Sequence, residues 1–416
     1  MKVKKVISML LAIALIFSIV PGGSIIVNAA TAENITYTIY NGYATVTGYS
    51  GWCGGSLEIP SELGGYPVKS IGENAFKDKS YLTEVTIPEG VTGIGSYAFA
   101  GTGLEQVVLP ESLTTIGSYA FYQSDLEEIH FGSNISYIRD SAFHGCTSIQ
   151  DVYIEDITSW AEIDFASMYT NPLYYADNLY LNNTLTTEVV LEEGITSIGR
   201  FAFANFQGLT GITIPKTVTR IGDSAFRECI NLNKLNITDV ESWCGVYFGG
   251  SNSSYANPMY YAKNLYLNNE LVTDLVIPEG VTEIKNDVFR NCKSITSITL
   301  PSTLTKIGGN TFVGCSAVNQ TNISDITAWC NIDFTFSSSN PTYLSKNLYL
   351  NGEPIVNLVI PAEVTEIKPY AFYNCDTLES VTVLGTLDKI GEQAFAGCDN
   401  LASIDLGIGC GDIDCS

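Results

Sequence analysis

Between Leu82 and Phe99 the apolar side chains fall at Leu82, Val85, Ile87, Val91, Ile94, Ala98 and Phe99, with polar residues or glycine at most positions between them. Val85 and Ile87 alternate with Glu84 and Thr86, so one pair faces inward and the other faces water, as in a short strand. Pro88 lacks an amide hydrogen and ends the ladder. The spacing then predicts a tight corner at Gly95 and one helical turn over residues 96–99. The phrase Ile-Gly-x-x-Ala-Phe, or a near variant, begins at Ile71, Ile94, Ile116, Ile138, Ile198, Ile221, Ile284, Ile307, Ile367 and Ile390. Most steps are 22 or 23 residues, and three are 60, 63 and 60. Such a period predicts a repeat solenoid, a right-handed coil of short parallel strands with turns or helical turns on the other side. One coil buries too little apolar surface to fold alone, so the copies must stack.

The three long steps hold one recurring insert, at about 155–187, 238–273 and 324–356. Asp156 to Trp160, Asp239 to Trp243 and Asp325 to Trp329 each read as a short capped helix. Asn171-Pro172, Asn257-Pro258 and Asn340-Pro341 follow, and each insert closes on Asn-Leu-Tyr-Leu-Asn with Asn or Gly next. That ending is a hairpin signal. Phase-locked Trp160, Trp243 and Trp329 are expected to seal the outer layer. Tyr174, Tyr175, Tyr260 and Tyr261 are candidate aromatic contacts for a ligand. Residues 31–56 read as an N-terminal hairpin cap turning at Asn41-Gly42, and residues 407–416 as a short tail, either a poor cap or a truncation.

The array from about 57 to 406 resembles the BspA-like leucine-rich repeats of bacterial and protozoan surface proteins. Leu232 to Ile237, Pro278 to Ile284 and Ile307 to Cys315 carry the resemblance. One departure is that Gly90, Ser112 and Gly280 stand where leucine-rich repeats usually hold a ladder Asn or Cys. The resemblance implies a surface protein that mediates adhesion or protein–protein contact.

Residues 1–30 have the form of a signal peptide: Lys2, Lys4 and Lys5, an apolar run from Val6 to Val20, and Ala29-Ala30. The run is too short for a bilayer span. The expected location is therefore secreted or at the cell surface, with no transmembrane span in the mature chain. Removing three lysines from a chain of 20 basic and 44 acidic residues leaves 17 against 44, a formal charge of −27. That field argues against nucleic acid as a partner. Cys146, Cys229, Cys292, Cys315, Cys375 and Cys398 share one repeat position and are expected as buried thiols rather than a disulfide ladder. No Cys-x-x-Cys motif, nucleophile motif or phosphate loop is present, and Asp412-x-Asp414 lacks the rest of a calcium loop. No catalytic residue, cofactor or metal is expected.

The outward strand positions form the candidate ligand face: Glu84, Thr86, Gln106, Glu128, His130, Asp151, Tyr153, Lys234 and Asn236. The expected ligand is an extracellular protein or glycan. Two other readings remain at this stage: a spacer for a missing anchoring or catalytic module, and a carbohydrate-binding protein using the insert aromatics.

Overall fold

The computed structural model describes residues 17–19, 25–32, 34–51, 55–250 and 253–407. The segment expected as a signal peptide lies outside them apart from the strands Phe17–Ile19 and Ile25–Ala32. Residues 408–416, with Asp412 and Asp414, also lie outside. The chain divides into two compact units, residues 1–186 with 201–206, and residues 187–200 with 207–416.

Each unit is a β-solenoid whose coils contribute short strands to two ladders. In the first unit, Ser56–Glu58, Glu84–Thr86, Gln106–Val108, Glu128–His130, Asp151–Ile154 and Asn178–Leu181 pair in parallel in that order. Thr184–Leu185 closes this sheet as an antiparallel hairpin. Gly93–Ile94, Thr115–Ile116 and Tyr137–Ile138 extend the opposite ladder from Tyr66–Ile71. That ladder continues into the antiparallel pair Ile35–Tyr40 and Tyr43–Tyr49, which turns at Asn41-Gly42. Ile35, Tyr37, Ile39, Ala44 and Val46 are buried there.

The core between the ladders is a column of identical phase. Phe76, Phe99, Phe121 and Phe143 stack with centroids 5.2, 5.4 and 5.3 Å apart, and all four are fully buried. Around them sit the inward strand residues, Val85, Val107, Ile129 and Val152 among them. The second unit repeats the scheme in sheets that end on hairpins, Leu265–Leu267 with Glu270–Leu271 and Leu348–Leu350 with Glu353–Pro354.

The corner differs from the sequence expectation. Residues 96–99 form no helical turn, and the left-handed residue is Tyr97 rather than Gly95. The same position is left-handed in all ten copies, at Asn74, Tyr97, Tyr119, Ser141, Phe201, Ser224, Asp287, Asn310, Tyr370 and Gln393, with φ between 52° and 62°. A second left-handed residue follows four positions on, Gly101 after Tyr97, and between the two, alternate amides point along the stack instead of around a helix. Tyr97 N–H donates to Ser118 O at 3.0 Å and Phe99 N–H to Ala120 O at 2.7 Å. The corner is thus a further hydrogen-bonded ladder between coils.

Gly95 serves that stacking. A Cβ there would lie 2.6 Å from Glu73 N and 2.7 Å from Gly72 C of the preceding coil. Copies that follow the second and third inserts hold Lys285 and Lys368 at this position, and their amides donate instead to Cys244 O and Cys330 O of an insert helix. Arg139 also stands at this position, its amide donating to Ile116 O as the glycines' amides do, and Gly199 after the first insert keeps the glycine.

Candidate functional site

The inserts decide which side chains remain available to a ligand. The helices Ile157–Glu162, Val240–Cys244 and Ile326–Cys330 are each capped by the expected aspartate, whose carboxylate accepts a backbone N–H from Thr158, Ser242 or Ala328. Trp160, Trp243 and Trp329 are buried. The first two donate Nε1–H to Ala202 O and Val288 O, each at 3.1 Å.

The Asn of each Asn-Pro pair has a role that the sequence reading did not assign. Asn171, Asn257 and Asn340 are fully buried. Their Oδ1 atoms accept from the amides of Leu173, Met259 and Thr342. Their Nδ2 atoms donate to Phe201 O, Asp287 O and Tyr370 O at 2.7, 2.6 and 2.7 Å. These acceptors are left-handed corner residues of a later coil. The only sequence signal was the pair itself recurring in phase.

The insert tyrosines are partly committed to this framework. Tyr175 hydroxyl accepts from Gly145 N at 3.1 Å, and Tyr261 hydroxyl from Glu228 N at 2.7 Å. Burial pushes both phenols above their ordinary range. Tyr174 packs edge-on against Tyr175, and Tyr260 against Tyr261, each at 5.1 Å. These four rings present edges and corners rather than one flat platform.

On the strand face of the first unit, parallel register places the outward residues in two columns. One runs Ser56, Glu84, Gln106, Glu128, Asp151, Asn178, and the other Glu58, Thr86, Val108, His130, Tyr153, Tyr180. Glu84, Thr86 and Gln106 are exposed, while Glu128, His130, Asp151 and Tyr153 are half-buried. His130 stacks on Tyr153 with centroids 4.1 Å apart, and Tyr153 on Tyr180 at 4.5 Å. Nε2 of His130 contacts the Glu128 carboxylate. Asn178 Nδ2 donates to Asp151 at 2.8 Å. Desolvation in the stack, and then the carboxylates of Glu128 and Asp151, raise the Tyr153 phenol above its ordinary value. Val108, Glu111, His130, Tyr153, Glu155 and Asn182 line an open cleft of about 250 Å³ beside this stack.

Seven of the nine sequence candidates therefore share one sheet. Lys234 and Asn236 belong to the second unit. Lys234 Nζ pairs with Glu188 at 3.1 Å and lies over the Tyr266 ring at 5.7 Å. Asn236 departs from the expectation of an outward contact, being only 2% exposed. Its Nδ2 donates to Thr213 Oγ1 at 3.2 Å, and its Oδ1 accepts from Asn269 N at 2.7 Å. The hairpin turn at Asn268-Asn269 covers it. Asn178 and Tyr180 extend the face and were missed, because the hairpin strand was not recognised as a further member of the parallel sheet.

The repeat-position cysteines are thiols that brace the core. Sγ of Cys146, Cys315 and Cys398 donates to the carbonyls of Phe121, Phe289 and Phe372 of the preceding coil at 2.9, 3.1 and 3.0 Å. Desolvation raises Cys146 and Cys398 to about 11 and Cys244 and Cys330 to about 12. Among the described residues no group of three or more His, Cys, Asp or Glu is arranged to hold a metal ion, and no helix is long and apolar enough to cross a membrane.

The family model described as "BspA type Leucine rich repeat region (6 copies)" matches residues 69–180, 175–253, 261–349 and 342–415. No curated protein matches significantly. Solved structures similar to this chain include a leucine-rich repeat protein from Bacteroides ovatus, 23% identical over 90% of this chain and 94% of that one, with a TM-score of 0.39. A leucine rich cell surface protein from Faecalibacterium prausnitzii is 20% identical over 94% and 95% respectively, TM-score 0.34. The pneumococcal vaccine antigen PcpA is 17% identical over 91% and 87%, TM-score 0.32.

Proposed function

This chain belongs to the BspA type leucine-rich repeat family, and we propose that it is an extracellular interaction protein that binds a protein ligand through the strand face of its first unit. Leucine-rich repeat proteins generally bind proteins. The export signal read in residues 1–30 supports an extracellular location, either secreted or at the cell surface.

One observation carries the choice of face. The three runs of parallel strands that each close on an insert hairpin place Val108, Val190 and Val276 in the same outward column, and end it on Tyr180, Tyr266 and Tyr349. Between those ends the second and third copies hold Thr213 with Asn236 and Thr299 with Asn322. In both, the Asn Nδ2 donates to the Thr Oγ1, at 3.2 and 3.4 Å. The first copy replaces Thr and Asn by His130 and Tyr153. A Thr–Asn pair is sufficient for the coil twice over, so the aromatic pair answers to something other than folding. Half-buried aromatics beside charge are the composition of binding hot spots.

The test is direct binding of the purified chain to a panel of extracellular matrix and cell-surface proteins, with glycans alongside. Saturable protein binding that is lost in His130→Thr/Tyr153→Asn supports the reading. That variant installs a pair already present twice in this chain, so folding should survive. Uniform absence of protein binding, or binding that ignores the substitution, refutes it.

A further inference from the structure

We propose that the first unit's strand face takes a basic polypeptide segment, its Arg or Lys side chains seated between the Glu128 and Asp151 carboxylates and the His130–Tyr153–Tyr180 stack. This inference rests on the reading above and deepens it by naming the chemistry of the partner.

The second unit shows the arrangement completed from within. There the column equivalent to Gln106, Glu128 and Asp151 reads Glu188, Gly211 and Lys234. Lys234 binds the Glu188 carboxylate and lies over the ring of Tyr266, the counterpart of Tyr180. A cation is thus held by one carboxylate and one tyrosine of the same sheet. In the first unit the position of Lys234 is Asp151, and no Lys or Arg stands at an outward position of its strands from Ser56–Glu58 to Asn178–Leu181. Glu58, Glu84, Glu128 and Asp151 all lie there. Glu128 and Asp151 are direct neighbours in register, about 4.8 Å apart, so these two carboxylates repel one another; the protein sets only the His130 ring against one and the Asn178 amide against the other. The first unit keeps the tyrosine and has Gln106 where Glu188 stands; its carboxylates lie instead at Glu128 and Asp151, where the second unit has Gly211 and Lys234, and no Lys or Arg of its sheet meets them, so a partner supplies the cation.

The geometry favours polypeptide over glycan. Stacking occupies both faces of Tyr153 and the inner faces of His130 and Tyr180, so the three rings do not lie side by side as one flat platform for a sugar ring. Carboxylates and phenol oxygens at the ring edges accept hydrogen bonds from guanidinium or ammonium groups. The cleft bounded by Val108 and Asn182 accommodates the aliphatic stems.

Fluorescence anisotropy with the full chain tests this, using a labelled Arg-rich peptide, a Glu-rich peptide of equal length, and a neutral polysaccharide. The Arg-rich peptide should bind and the other two should not. Glu128→Gln/Asp151→Asn should weaken binding about tenfold, and so should His130→Thr/Tyr153→Asn. Asp274→Asn/Glu353→Gln removes the same charge from exposed positions of the second unit and should leave the affinity unchanged. Equal weakening by both charge-removing pairs would show attraction to the overall negative field and overturn the proposal. Binding of the polysaccharide in place of the peptide would overturn it as well. If the protein panel yields a ligand lost with His130→Thr/Tyr153→Asn while the Arg-rich peptide never binds, this inference fails and the interaction function stands.

Discussion

At the residue scale, the repeated phrase separates two jobs that its sequence suggests are one. Glycine is the usual occupant of a left-handed position, yet the left-handed corner holds Tyr, Ser, Phe, Asp, Asn or Gln, and the glycine sits two residues earlier against the preceding backbone. Gly95→Ala is therefore expected to lower stability by about 2–3 kcal/mol, the cost of forcing backbones apart in a packed stack. Gln393→Gly should be neutral or stabilising, because it relieves about 1 kcal/mol of left-handed strain against a similar loss of chain entropy. Denaturant unfolding of both variants checks the contrast, and a reversed order would return the corner role to the glycine. Asn257 makes the second residue-scale case. Asn257→Asp replaces a donor facing Asp287 O by a buried carboxylate, at an expected cost of about 3–5 kcal/mol. A thermal midpoint equal to the parent's would refute that assignment. The Asn-Pro role was hidden from sequence because its partners lie some 30 residues away. Nothing local distinguishes a buried anchor from an ordinary turn.

At the element scale, strands and hairpins were legible because alternation and Asn-Gly or Asn-Asn pairs act through neighbours in sequence. Val85 and Ile87 face inward and Glu84 and Thr86 outward, as their spacing predicts. The continuation of the sheet into Asn178–Leu181 was not legible, since it depends on where a 60-residue step returns to the stack. Two of the coils that follow inserts also share an ionic clamp. Glu283 contacts Lys285 and pairs with Lys306 at 3.2 Å, and Glu366 pairs with Lys368 and Lys389 at 2.7 and 3.4 Å. Hydrogen bonds from Lys285 and Lys368 are the main cause holding the two carboxyls below their ordinary range, with the second lysines adding to it. A depressed folded-state value makes this contribution present above the ordinary carboxylate range and lost as pH falls through the lowered values. Each half-exposed pair contributes under about 1 kcal/mol. Glu283→Gln/Glu366→Gln should accordingly melt lower than the parent at pH 7 and together with it once acid has protonated both carboxyls. A gap that persists at acid pH would rule out the clamp.

At the scale of the whole molecule, the buried thiols give the fold a one-sided pH limit. Cys146 and Cys398 are raised from the ordinary 9.0 to about 11, Cys244 and Cys330 to about 12, and Cys315 and Cys375 stand above it too, burial being the leading cause in each. The unfolded chain releases these protons first, so stability is complete below pH 9 and declines as pH rises toward 11. Circular dichroism on an alkaline titration should show that decline. Peptide mapping after iodoacetamide at pH 8 should find Cys146, Cys315 and Cys375 unmodified in the native chain and alkylated once it is unfolded.

The functional face was half legible. The first unit's outward residues could be read from alternation, but their distinction from the second unit appears only when register aligns His130 with Thr213 and Tyr153 with Asn236. The most direct measurement is carboxylate footprinting of the chain with and without a captured protein ligand. The account predicts that Glu84, Glu128 and Asp151 lose labelling on binding while Glu283, Glu353 and Glu366 keep theirs. Unchanged labelling of the first three, with protection elsewhere, would contradict it.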